Sequence, residues 1–274
     1  MKNLSGEGLR SPAQSIHYTL RIASALCFLG HGAFGFITKS IWCNYFGVFG
    51  IGHDLAYRLM PLVGTIDLLM GLSLLIYPIR AVAGWLVVWG LMTACCRPLS
   101  GEPFAEMIER AGNYGAPLAL LLLAGTGTRL RKGWLGSKLD PDPQPDLRHY
   151  RLALFTLRIV VFLLLLGHGW LNLIEKKGLI QQYTNLGFAN PAQLARMVGM
   201  FELLAALAVL VRPVRPLLFV FFVWKMGTEL FYPKWELFEW IERAGSYGCI
   251  LALWIALGPV PVHKNNSVKT NLAV

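Results

Sequence analysis

Eight apolar runs, each near the length of one membrane crossing, constrain this chain more than any other feature. They lie near residues 16–38, 58–78, 80–97, 108–126, 152–175, 194–211, 213–231 and 240–258. A hydrocarbon core of ~30 Å takes about 20 apolar residues as helix. With 55% hydrophobic and only 15% charged residues, the chain lacks the polar surface that a soluble domain of 274 residues needs. Stretches such as LALLLLAG and VVFLLLLG are apolar all round and show none of the period-2 alternation of a barrel strand. The expected fold is all-α and integral to the membrane: eight transmembrane helices as two parallel-repeat four-helix bundles.

The first run is too long for a signal peptide and has no small-residue cleavage site after it, so it is expected to stay in the mature protein. Five cysteines form no CxxC, which points away from a zinc site or a disulfide framework. A bridge from Cys43 to Cys95 or Cys96 stays open beside the reading of buried small hydrophobes. The net charge of +10 could speak for nucleic acid, but the basic residues do not form one patch. They gather at the termini and after runs 2, 4 and 6, as in Arg80, Arg129, Arg131, Lys132, Lys138, Arg212 and Arg215, while the other side mixes Lys and Arg with most of the acids. By the positive-inside rule both termini are expected in the cytoplasm, with the bacterial inner membrane as the location and anionic lipid as the partner of the basic face. Nucleic-acid binding is not expected.

The chain repeats itself. LRIASALCFLGHG at 20–32 aligns with LRIVVFLLLLGHG at 157–169, VGTIDLL at 63–69 with VGMFELL at 198–204, and ERAGNYG at 109–115 with ERAGSYG at 242–248. Trp89, Thr93 and Pro98 match Trp224, Thr228 and Pro233. The offset shortens only in loops, where length is tolerated. This pattern predicts two copies of one four-helix unit, over 1–126 and 151–274, joined by a Pro-, Gly- and charge-rich cytoplasmic linker at 127–150 with no assigned fold. Four spans per copy make the repeats parallel, related by an axis along the membrane normal, so one chain would contain its own pseudo-dimer.

Each copy carries ionisable residues at membrane depth. His31 lies ten residues past Arg21, roughly 15 Å deeper along a helix, and Asp67 reaches a similar depth from the other side. His168 and Glu202 repeat the arrangement. A carboxylate at that depth costs a few kcal/mol and should face the bundle interior beside a partner, the histidine of its own half being the nearest candidate. The glycines of GHG would remove bulk where two helices approach closely. In the second copy Lys225 and Glu229 lie one turn apart where the first has Gly90 and Ala94, so a polar cavity is expected there, and the second half is expected to be the active one if only one is. Glu109, Arg110, Asn113 and Tyr114, with Glu242, Arg243, Ser246 and Tyr247, are expected to open runs 4 and 8 and to form an outer mouth above the histidine layer.

These residues admit several readings. Each histidine and acid could simply lock helix packing, could relay protons, or could ligate a haem across the pseudo-axis, for which one histidine per half is the whole support. No Rossmann fingerprint, P-loop or zinc cluster is present, and no metal is expected.

Each half resembles the DoxX-like family of four-helix membrane proteins. The resemblance rests on LR followed by GHG, on Gly64 to Asp67 and Gly199 to Glu202, on the basic turns at 77–80 and 211–215, and on the ERAG[NS]YG entry. It covers most of both halves but not the linker, and the tandem arrangement departs from the family's usual single unit. The resemblance implies association with membrane oxidoreductase complexes and quinone-linked sulfur or thiol oxidation; it carries over no catalytic residue. The first expectation is a subunit of a membrane redox system, engaging quinone or a partner oxidoreductase through the polar layer. A proton-coupled transporter or channel for a small solute comes second, and a non-catalytic scaffold or assembly factor third.

Overall fold

The computed structural model describes residues 12–125, 135–143, 145–229 and 236–258. The termini, the first part of the linker and residues 230–235, with the sequence expectations that fall on them, lie outside the described residues. The described chain is all-helical: α1 (Pro12–Ile37), α2 (Trp42–Gly47), α3 (His53–Ile76), α4 (Arg80–Leu99), α5 (Ala105–Glu109), α6 (Ala111–Leu123), α7 (Leu147–Leu173), α8 (Lys177–Asn185), α9 (Pro191–Val211), α10 (Arg215–Glu229), α11 (Glu236–Glu242) and α12 (Ala244–Ala256). Five helices, α1, α3, α4, α7 and α9, are long and apolar enough to cross a membrane, and α6 and α12 are shorter apolar helices. Along α9, Met197, Met200, Phe201, Leu204, Leu207 and Val211 are exposed while Val198, Gly199, Glu202, Ala205 and Val209 are buried. Such an outward apolar face suits acyl chains.

Helices in lipid gain little from the hydrophobic effect on meeting one another, so close packing and polar contacts must hold them. Here they meet across the halves. α1 packs along α3 on one side and along α12 and α11 on the other; α7 packs along α9 on one side and along α6 and α5 on the other. Buried residues of α1, α6, α7 and α12, among them Leu20, Phe28, Leu120, Leu157, Val161 and Ile250, belong to one continuous core.

Two features differ from the sequence expectation. ERAGNYG and ERAGSYG do open α6 and α12, at Ala111 and Ala244, but not as continuous helix: the backbone breaks at Arg110 (φ −87°, ψ 17°) and at Arg243 (φ −85°, ψ 4°), and the short helices α5 and α11 precede the breaks. Glu109 thus ends α5 rather than starting a helix, and a helix-dipole role for it falls away. The linker also has more order than its composition promises. Leu139 is fully buried in the core, its N–H bonds to Pro78 O, and Arg80 reaches Ser137 as well as the carbonyls of Ala124 and Gly125 at the end of α6.

The arginine of each LR has a mechanical reason. Arg21 donates to the carbonyls of Leu74 (2.6 Å) and Leu75 (2.7 Å), at the C-terminal end of α3. Arg158 does the same to Val209 (3.1 Å), Leu210 and Val211 (2.6 Å), at the end of α9. A cation there satisfies carbonyls left without intrahelical partners and meets the negative end of the helix dipole.

Candidate functional site

The flanking glycines of each GHG serve two different contacts. A Cβ at Gly30 would lie 2.5 Å from the Glu242 backbone nitrogen and 2.7 Å from its Cα, in the other half; one at Gly32 would lie 2.9 Å from Gly64 O in its own half. Gly167 likewise abuts the Glu109 backbone, 2.7 Å to its Cα, and Gly169 abuts Gly199, 3.0 Å to its O. Backbone cannot yield as a side-chain tip can, so both positions require glycine. The two broken helices cross each other as well, a Cβ at Gly245 meeting Gly112 O at 2.7 Å.

This crossing settles where the histidines point. His31 Nε2 lies 3.1 Å from the Asn113 amide nitrogen and 3.5 Å from Glu242 Oε1, so its charged neighbour comes from the other half and not from Asp67, the partner expected for it. His168 does meet the expected acid of its own half: Nδ1 lies 2.5 Å from Glu202 Oε2 and 3.2 Å from Asn172 Nδ2. In each case one ring nitrogen faces both a carboxylate and an amide donor, so either protonation state of the ring finds a partner.

Of the residues expected as an outer mouth, Asn113 and Glu242 contact His31, and Glu109, Arg110 and Arg243 join them in one network, while Tyr114 packs against the apolar core. Glu109, Asn113, Glu242, Ser246 and Tyr247 are buried, and Arg110 and Arg243 nearly so. Arg243 hydrogen-bonds Glu109 (2.8 Å) and forms an ion pair with Glu229 (3.1 Å); Arg110 hydrogen-bonds Glu106 (2.6 Å) and Glu109 (3.0 Å). Lys225 lies 3.5 Å from Glu229 and 3.8 Å from Glu202. Sequence reasoning passed over Glu106, which also pairs with Lys176, and over Asn172, Tyr183, Trp224 and Arg97. Trp224 donates to Glu202 (3.3 Å), and its repeat counterpart Trp89 bonds Asp67, so the recurring Trp was the available signal. Glu109, His168 and Glu229 offer atoms all within 4.8 Å of one another, a spacing open to a metal ion. The guanidinium of Arg243, ion-paired with both carboxylates, already supplies the cation there.

Two cavities flank this network. The first, about 320 Å³, has aromatic walls that include Phe28, Trp42, Phe46 and Trp89, with His31, Asp67, Arg97 and Asn113 as its polar points. Tyr45, at its rim, donates to Glu102 (2.5 Å), and burial pushes its phenol up, which keeps it a donor. Asp67 is 3% exposed and its Oδ1 has no hydrogen-bond partner among the described residues. The second cavity, about 200 Å³, is lined by His168, Tyr183, Trp224 and Glu229 among others. All five cysteines are free, so the Cys43 bridge is not formed; Cys96 lines the first cavity.

The family model described as DoxX matches residues 153–228, which run from α7 to the end of α10. No curated protein and no solved structure matches the chain. Apolar helices long enough to span and outward faces suited to lipid agree with the match over the second half: the chain is a multi-pass membrane protein whose residues 153–228 are similar to the DoxX family.

Proposed function

We propose that the chain is the membrane subunit of a redox system and that its first-half cavity binds the headgroup of a quinone. In this reading eight spans form two parallel repeats, over 1–126 and 151–274, that act as a pseudo-dimer in the bacterial inner membrane with both termini in the cytoplasm and a partner oxidoreductase as the electron source. The matched contacts of Arg21 and Arg158, and of the two GHG segments, support the duplication.

One observation carries the assignment of the site: a buried carboxyl with an unpaired oxygen, Asp67 Oδ1, set in an aromatic cavity beside His31 and Asn113. An unmatched polar atom inside a membrane protein costs free energy until a ligand supplies the missing bond. The volume lies within the ~300–1,000 Å³ of small-molecule sites. A quinone fits chemically, since its flat ring suits aromatic walls and its carbonyl oxygens need donors. When bound it supplies two-electron, two-proton chemistry. Asp67 and the His31 ring, which faces both Asn113 and Glu242, would hold protons at its carbonyl oxygens, and the aromatic walls would orient the ring and exclude water.

The test is a titration of the purified protein in nanodiscs with decylubiquinone, followed through quenching of Trp42 and Trp89. Saturable binding of one equivalent, weakened at least tenfold in Asp67→Asn and His31→Leu, is expected. Binding that fails to saturate, or that ignores both substitutions, overturns the reading.

A second reading has its own support. His31 meets Glu242, the adjacent Arg243 meets Glu109, and Glu109 lies near His168, so ionisable groups run from one cavity to the other. Proton flux in liposomes that is lost in His168→Ala would favour proton-coupled transport of a small solute over quinone chemistry.

A further inference from the structure

We infer that the second cavity is a closed counterpart of the first, stopped by the chain's own Lys225–Glu229 pair, and that removing the pair opens a second site for the same class of ligand, a neutral quinone headgroup. This rests on the binding role proposed for the first cavity.

The two cavities use the same positions of the repeat. His31, Phe46, Val63, Trp89 and Thr93 line the first, and His168, Tyr183, Val198, Trp224 and Thr228, the residues aligned with them, line the second. They part at one wall position. Where the first cavity has Ala94, the second has Glu229; one turn earlier Gly90 is replaced by Lys225. The difference reaches the floor. Asp67 and Asn113 are open to the first cavity, whereas their counterparts Glu202 and Ser246 do not line the second.

The pair is placed to cause this. Lys225 is 1% and Glu229 2% exposed, Lys225 bridges Glu229 and Glu202, and Glu229 also binds Arg243. Glu202 thereby receives an ammonium from its own chain, while Asp67 keeps an unpaired oxygen. The pair is neutral as a unit, so its removal leaves the net charge unchanged. Glu202 would keep His168 and Trp224 as partners, close to the present state of Asp67 with Trp89. The sequence alone points to the second half as the active one because Lys225 and Glu229 look like cavity lining; Glu229 does line the second cavity, and in this inference the pair also fills the space that Gly90 and Ala94 leave open in the first.

The experiment is the decylubiquinone titration repeated on Lys225→Gly/Glu229→Ala, the pair found in the first half. One equivalent per wild-type chain and two per variant chain are expected. Lys225→Met/Glu229→Leu, which removes the charges but keeps the bulk, should stay at one. A folded double variant that still binds one equivalent overturns the inference and leaves the first site standing; a wild type that binds none overturns the site itself. A measurement without the opening variant decides the matter should that variant misfold. Val63→Cys and Val198→Cys place thiols at aligned wall positions, and decylubiquinone should slow maleimide labelling of the first at least fivefold and leave the second unchanged. Equal protection of both thiols would mean that the second cavity already accepts the ligand, and the pair would be no stopper.

Discussion

Arg243→Gln removes the cation that holds two acids together in the centre of the bundle. The side chains of Glu109 and Glu229 are 5% and 2% exposed and that of Arg243 16%, with contacts of 2.8 and 3.1 Å. Removing one partner of such a buried pair costs ~3–5 kcal/mol, because the charge left behind stays desolvated. Glu109 keeps Arg110 at 3.0 Å and Glu229 keeps Lys225 at 3.5 Å, which places the expected loss at the lower end, ~3 kcal/mol. At roughly 2–4 °C per kcal/mol, the melting point should fall by about 6–12 °C. The protein carries its own reporter, since Cys27, Cys43, Cys96 and Cys249 are buried and free, so a thiol-reactive fluorogenic dye reads unfolding in detergent. Adding Glu229→Gln removes the acid that lost its partner and should recover at least half of the loss. An Arg243→Gln protein that melts within ~1 °C of wild type, or a double variant lower than the single one, would refute the claim that this network holds the two halves together.

Other perturbations separate the contacts described above. Gly30→Ala and Gly167→Ala push a Cβ into the backbone of Glu242 and Glu109, and each should destabilise by ~1–3 kcal/mol or more in the same thermal assay. Gly84→Ala, in the second turn of α4 with open space around it, should cost nothing and raise stability by up to ~1 kcal/mol through helix propensity. Arg21→Ala strips two charge-assisted bonds from the end of α3 and should lower stability by ~1.5–3 kcal/mol, whereas Arg21→Lys should recover only part, because a single ammonium does not reproduce the guanidinium fork. Asp146 caps α7 by accepting from the His149 backbone and lies beside its ring, which holds its carboxyl below the usual value. Its stabilisation is therefore complete above the ordinary aspartate pKa, near 4, and fades as pH falls through the lowered value. The acid limb of a stability profile below pH ~4 should flatten in Asp146→Asn, and an unchanged limb would show that the cap does not contribute.

Much of this architecture is legible in the chain. The apolar runs fall on helices, and the glycines of GHG are among the places where helices come into close contact. The pairing of His31 was not legible, because helical period assigns a residue to a face but not to a partner. Asp67 and Glu242 are both acids at the right depth, and only the crossing of α11 and α12 onto α1 selects Glu242. The breaks at Arg110 and Arg243 were hidden for a related reason. Ala, Glu and Arg are good helix formers, so ERAG reads as continuous helix until one sees that its backbone must pass against Gly30 and Gly167. Leu139 sits in a Pro- and charge-rich segment whose composition says linker, yet one buried leucine and three backbone bonds to Pro78, Arg80 and Ala81 fasten it. Composition averages over such single anchors. The opposite fates of Asp67 and Glu202 depend on volume, which a change from Gly90 and Ala94 to Lys225 and Glu229 alters in a way charge pattern alone does not reveal.

The account stands on the first cavity as a place where a lipid-soluble ring is held. Photolabelling with an azido-quinone in native-like bilayers tests this most directly, with adducts located by mass spectrometry. Adducts should fall on cavity-lining residues of α2, the turn after it and α4, such as Phe46, Phe49 and Met92, and should vanish with excess decylubiquinone and in Asp67→Asn. Adducts spread over lipid-facing Leu62, Leu69 and Leu204, indifferent to competitor, would show that the cavity holds no such ring.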